Sequence, residues 1–73
     1  MADKYLDCTQ LRCPMPIIKL SKELKQMAPG QTLAVEASDP AFASDVQAWT
    51  KTMGHELLEL TEGPVQKAVI RKR

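Results

Sequence analysis

Two stretches of helical spacing, set among four short stretches of strand-like alternation, decide most of what this chain can fold into. Ile17, Leu20, Leu24 and Met27 recur at intervals of 3, 4 and 3, with Lys19, Lys22, Glu23, Lys25 and Gln26 on the opposite side, so an amphipathic helix is predicted from Cys13 until Pro29-Gly30 ends it. Phe42, Val46, Trp49 and Met53, spaced 4, 3 and 4, predict a second helix. Ser38-Asp39-Pro40 supplies its cap residue and then a proline at the first helical position, and Gly54 suits the left-handed position at its end. Between and around these lie Lys4 to Asp7, Thr32 to Ala37, Glu56 to Thr61 and Val65 to Lys72, each short enough and alternating enough to be a strand, with Glu62-Gly63-Pro64 as the last turn.

The order is therefore βαβαββ. A right-handed crossover makes the first two strands parallel, while the terminal hairpin is antiparallel, so the sheet is mixed. The expected class is α+β, a two-layer α/β sandwich with a four-stranded mixed sheet and two helices on one face. With 73 residues the chain has room for one domain, spanning 1–73, and no internal repeat or linker divides it.

Composition narrows function by exclusion. A chain with 44% hydrophobic and 26% charged residues is globular, and a net charge of +1 provides no electrostatic capture of nucleic acid or of acidic partners. No apolar run follows the N-terminus as in a signal peptide, and none approaches the ~20 residues of a membrane span. A cytoplasmic protein with reduced thiols is expected. Two cysteines cannot build a disulfide framework, and a single histidine, His55, excludes most catalytic constellations.

The most informative segment is Leu6-Asp7-Cys8-Thr9-Gln10-Leu11-Arg12-Cys13-Pro14-Met15-Pro16. Pro14 disfavours helical geometry at Cys13, which suits an N-cap with Pro14 at the first helical position. A sulfur there lies beside the positive end of the helix dipole, which favours thiolate and raises nucleophilicity, with Arg12 adding to the effect. Alternatively the helix begins at Pro16, and Cys13 then sits in a rigid extended lead-in farther from the dipole. By position alone a cysteine at a helix start reads equally as a small packing residue. No general base is near in sequence, so a thiol that carries a group fits better than a Cys/His hydrolase.

Cys13-Pro14-Met15-Pro16, the preceding Leu6-Asp7 and Leu11-Arg12, the later Asp39-Pro40 with Asp45, and Gly54-His55-Glu56-Leu57 together resemble the TusA (SirA-like) sulfur-carrier family over nearly the whole chain. The resemblance implies a two-layer sandwich and a sulfurtransferase activity in which Cys13 is the catalytic residue, holding sulfane sulfur as a persulfide. It implies two protein partners: a sulfur donor of cysteine desulfurase or rhodanese type, and an acceptor in RNA thiolation, sulfur oxidation or related trafficking. It implies no cofactor, no metal and no direct contact with nucleic acid. Gln10 departs from the glycine usual before Leu11, so the turn either needs no positive φ or tolerates strain. Ala68 stands where a bulky aromatic is common, which lightens the core under the last strand.

The remaining residues carry plainer readings. Cys8 lies five positions before Cys13, too far for a Cys-x-x-Cys motif, and reads as a structural cysteine at a strand end; a Cys8/Cys13 redox switch is the competing use. Cys8, Cys13 and His55 lack the paired spacing of a zinc site. Asp39 is a helix cap, Asp45 a first-turn carboxylate, Trp49 core and His55 a loop or strand-entry residue. Arg71-Lys72-Arg73 is the one dense basic cluster and, with Lys19, Lys22 and Lys25 of the first helix, reads either as a contact for phosphate or an acidic partner or as a solvated run, and it lacks the aromatic platform that base recognition needs. A non-catalytic adaptor, with Cys13 packed rather than reactive, is the alternative to a carrier.

Overall fold

The computed structural model describes residues 2–12 and 15–73. Six elements follow in the expected order: β1 Lys4–Cys8, α1 Met15–Lys25, β2 Thr32–Ala37, α2 Phe42–Met53, β3 Glu56–Thr61 and β4 Gln66–Arg71. The sheet order is β1-β2-β4-β3, with β1 and β2 parallel and the other two pairings antiparallel. α1 packs over β1 and β2, and α2 over β3 and β4, so both helices cover the same face. The sandwich is two-layered and mixed, as the periodicities require.

Strand alternation explains which side chains meet the helices. Leu33, Val35 and Ala37 of β2, Ala68 and Ile70 of β4 and Cys8 of β1 are all buried, and Leu20 and Leu24 of α1 and Phe42 and Val46 of α2 close over them. Burying each of the valine, leucine, isoleucine and phenylalanine side chains contributes roughly 1.5–3 kcal/mol, which is the main favourable term for so short a chain. Ala68 pairs with Val35 on one side and Leu60 on the other, at the middle of the inner face. The opposite face carries Tyr5, Asp7, Glu36, Lys67 and Arg71, all exposed or half-buried, and no helix among the described residues covers it.

Several boundaries differ from the sequence pattern for local reasons. β1 runs one residue longer and includes Cys8, because Cys8 pairs with Ala37 at the end of the parallel ladder. α1 ends at Lys25, before Pro29-Gly30; Gln26 and Met27 donate to the carbonyls of Glu23 and Leu24 at 3.1 Å, the tighter i→i−3 bonds that close a helix end. Met27 remains buried although it lies beyond the helix. α2 begins at Phe42 rather than Pro40, since Asp39, Pro40 and Ala41 form a turn in front of it. The Asp39 carboxylate accepts the Ala41 amide at 3.0 Å, and the Asp39 carbonyl accepts the Phe42 amide at 3.0 Å. Asp39 thus caps that turn, and Ala41 is the residue next to the helix. Gly54 does terminate α2, at φ 78°.

Met53, the last member of the second helical stripe, is 53% exposed and does not join the core. Thr50 is buried in its place, with its hydroxyl donating to the carbonyls of Val46 and Gln47 in its own helix.

Candidate functional site

Because β1 and β2 are parallel, their C-terminal ends lie at one edge of the sheet, and the connections to α1 and α2 leave from that edge together. Between these two connections lies an open cleft of about 400 Å3, lined by Thr9, Gln10, Leu11 and Arg12 from one and by Ser38, Asp39 and Pro40 from the other. Cys13 and Pro14, on which the carrier reading and the N-cap reading both fall, lie outside the described residues. Arg12, the described residue that precedes them in sequence, lines this cleft together with Thr9, Gln10 and Leu11.

Those neighbours are firmly tied. The Asp7 carboxylate accepts both the Thr9 amide, at 3.0 Å, and the Thr9 hydroxyl, at 2.7 Å. The Ser38 hydroxyl donates to the Thr9 carbonyl. The Leu11 amide donates to the Cys8 carbonyl at 3.0 Å, and the Met15 amide donates to the Arg12 carbonyl at 2.8 Å. Leu11 also packs against the core cluster. Gln10 needs no positive φ in this turn, since every described residue with positive φ is a glycine. The turn is closed by side-chain bonds at Thr9 and by the backbone bond from Leu11 to Cys8.

The electrostatics of the edge follow from these bonds. The two Thr9 donors, with Lys19 beside them, hold the Asp7 carboxyl below its ordinary range. Burial pushes the Cys8 thiol up, only partly countered by Lys19. Cys8 is fully buried in the core and so is not placed as a surface ligand or nucleophile. Arg12 is exposed and makes no side-chain hydrogen bond or ion pair among the described residues. On the first turns of α1, Met15 and Ile18 are 48% and 41% exposed beside Lys19 and Lys22, an apolar patch with a basic rim.

His55 and Trp49 belong elsewhere. Their rings stack at 5.3 Å with a 30° tilt, and the His55 Nδ1 accepts the Arg73 amide at 3.2 Å. Glu56, next in sequence, pairs with Arg71, whereas Cys8 lies level with Ala37 and Gln66 at the other end of the sheet. Five residue steps along β4 separate the two ends, roughly 16 Å, so His55 shares no site with the cysteine edge. Trp49 is partly buried against the core, as its place in the stripe implies. Asp45 lies in the first turn of α2, with its amide donating to the Ala41 carbonyl.

Thr9 and Ser38 are the residues that sequence reading passed over. Asp7-x-Thr9 carries the signature of a side chain accepting an amide two residues on, so the first half of this arrangement was locally encoded. Ser38 reads locally as a helix-capping residue, and nothing in its neighbourhood signals a bond to a residue 29 positions earlier.

Comparison with known proteins agrees with this architecture. The family model for sulfurtransferase TusA matches residues 4–72. The chain is 44% identical over 72 residues to YrkI of Bacillus subtilis (strain 168), covering 97% of this chain and 96% of that protein. It is 43% identical over 60 residues to the sulfur carrier protein TusA of Allochromatium vinosum, covering 82% and 79% of the two chains. The crystal structure of a SirA-like protein from Desulfitobacterium hafniense superposes with a TM-score of 0.81 over 93% of this chain and 95% of that one, at 22% identity, and so shares the fold. Among the described residues no helix is long and apolar enough to cross a membrane. A match spanning all six elements, together with a relative aligned nearly end to end, assigns the chain to the TusA family of sulfurtransferases.

Proposed function

We propose that this protein is a persulfide carrier whose reactive group is Cys13. The observation that carries the reading is the match of residues 4–72 to the sulfurtransferase family, together with Cys13-Pro14-Met15-Pro16 at the entrance to α1. In the reaction, the Cys13 thiolate attacks the outer sulfur of a donor protein's persulfide. The S–S bond of the donor breaks, its cysteine leaves as a thiolate with the bonding pair, and the transferred sulfur keeps its proton, giving Cys13-S-SH. Transfer onward repeats the exchange with Cys13 as leaving group, so no external oxidant or reductant is consumed.

The surroundings suit a carrier. The open cleft accommodates a partner's loop, and the exposed Met15 and Ile18 with Lys19 and Lys22 give that partner something to dock on. The partners are a donor of cysteine desulfurase or rhodanese type and a sulfur acceptor, in the cytoplasm. Cys8 is an unsuitable resolving thiol for a redox switch, because it is enclosed in the core and its thiol is held protonated by burial. The test is mass spectrometry after incubation with inorganic polysulfide. Wild type gains one reductant-labile sulfur, about 32 Da, and Cys13→Ser gains none. A mutant that still gains the sulfur refutes the assignment.

A further inference from the structure

Residues 9–12, the described part of the connection between β1 and α1, are held more tightly than an exposed loop requires. Every polar group of Thr9 is engaged: its amide and hydroxyl by Asp7, its carbonyl by Ser38. Cys8 and Ala37 are the last backbone pair of the parallel ladder, so Thr9 and Ser38 extend the pairing one step further with a side chain in place of an amide. Downstream, Leu11 is tied back to Cys8, and Arg12 is tied to Met15 across the two residues between them. Thr9 and Ser38 both line the cleft, so the bond between them ties its two sides together.

We propose that Asp7 and Ser38 are positioning residues for sulfur transfer, clamping Thr9 so that the chain leading into Cys13 is ordered before a partner protein docks. This rests on the carrier reading of Cys13. A protein donor must bring its own persulfide-bearing loop into line with one sulfur. Ordering the receiving chain in advance removes an entropic cost that otherwise falls on the encounter. A small reagent needs no such alignment. The clamp therefore affects exchange with proteins and leaves intrinsic thiol chemistry alone. Asp7 is held ionised well below neutral pH by the same bonds, so the clamp is complete at physiological pH.

The experiment compares wild type, Ser38→Ala and Ser38→Thr, with Asp7→Ala and Asp7→Asn as a second pair. Three rates are read: alkylation of Cys13 by iodoacetamide across pH, loading from inorganic polysulfide, and single-turnover loading from a rhodanese charged with thiosulfate. Ser38→Ala and Asp7→Ala are expected to load from the charged rhodanese at least fivefold more slowly. Their alkylation pH profile and polysulfide loading stay within twofold of wild type. Ser38→Thr and Asp7→Asn, which keep a donor and an acceptor in place, recover most of the loss. Hydrogen exchange at the Leu11 amide should quicken in the two alanine variants while that of Val35 stays slow.

Equal loading from the rhodanese by wild type and both alanine variants overturns the clamp and leaves the carrier intact. So does a loss that appears equally in alkylation. Wild type that loads from polysulfide but not from the rhodanese overturns the clamp as a device for donors of that class. Wild type that loads from neither overturns the carrier reading, and the clamp's role in transfer with it.

Discussion

Two side chains at the edge where β1 and β2 end show how burial sets residue-level behaviour. Cys8 is wholly enclosed, and burial pushes its thiol up, so it should be unreactive in the native state. A disulfide reagent such as DTNB at neutral pH is expected to titrate no more than one thiol per folded chain and two in guanidinium. Native Cys13→Ser should then give none, and a second fast native thiol would show Cys8 to be accessible. Gln66, level with Cys8 and Ala37 in the sheet register, is 6% exposed, and its Oε1 has no hydrogen-bond partner among the described residues. A buried acceptor left unpaired costs about 1–3 kcal/mol, so Gln66→Met, of similar length, is expected to be neutral or to stabilise by about 1 kcal/mol in urea titration. A clear loss of stability would mean that the amide is satisfied in solution. Cys8 was legible in the sequence as a structural cysteine at a strand end, and the structure buries it there; the buried, unpaired amide of Gln66 was not. A pattern search seeks apolar repeats, and it passes over a glutamine inside a strand or a threonine such as Thr50 that satisfies its hydroxyl within its own helix.

Elements were more legible than residues, where a strict period and a stop signal coincide. β2 and β3 have the boundaries that their composition suggests, and α2 ends where Gly54 indicates. β3 was legible as a strand but not in its facing. Leu57 and Leu60 both pack on the core although they are three residues apart, because the register with β4 slips between Leu57 and Glu59 and leaves Leu58 46% exposed. No alternation rule predicts an inserted residue. At the end of α2, Gly54 adopts φ 78° and returns its amide to the Thr50 carbonyl, and an added Cβ would meet nothing within 4 Å. The cost of a side chain there is therefore backbone strain alone. Gly54→Ala should lower stability by about 1–2 kcal/mol and Gly54→Asn by distinctly less, since asparagine tolerates the left-handed region. Equal losses from both would point to packing instead of φ.

At the scale of the whole molecule, the chain's end closes the fold at the edge opposite the cleft. Lys72 exchanges backbone bonds with Gly30 and Gln31 and sends its ammonium to the Met27 carbonyl, so the last residues pin the α1–β2 turn. The Arg73 amide completes this closure by donating to the His55 Nδ1, which requires the imidazole to be neutral at that nitrogen. Partial burial, with Lys72 close by, holds the His55 pKa below its ordinary value. The sign follows from linkage: between the two pKa values the unfolded chain binds more protons than the folded one, so stability rises with pH there. The contribution from His55 is fully present above the unfolded value of about 6.5 and is lost as pH falls through the lower folded value. Thermal melts at pH 7.5, 6.5, 5.5 and 5.0 are expected to show wild type losing stability over this range more steeply than His55→Gln, which does not titrate. Carboxylates that begin to protonate near pH 5 affect both proteins alike, so the difference between the two curves isolates the histidine. Parallel curves would show that the closure at Arg73 does not depend on the neutral ring.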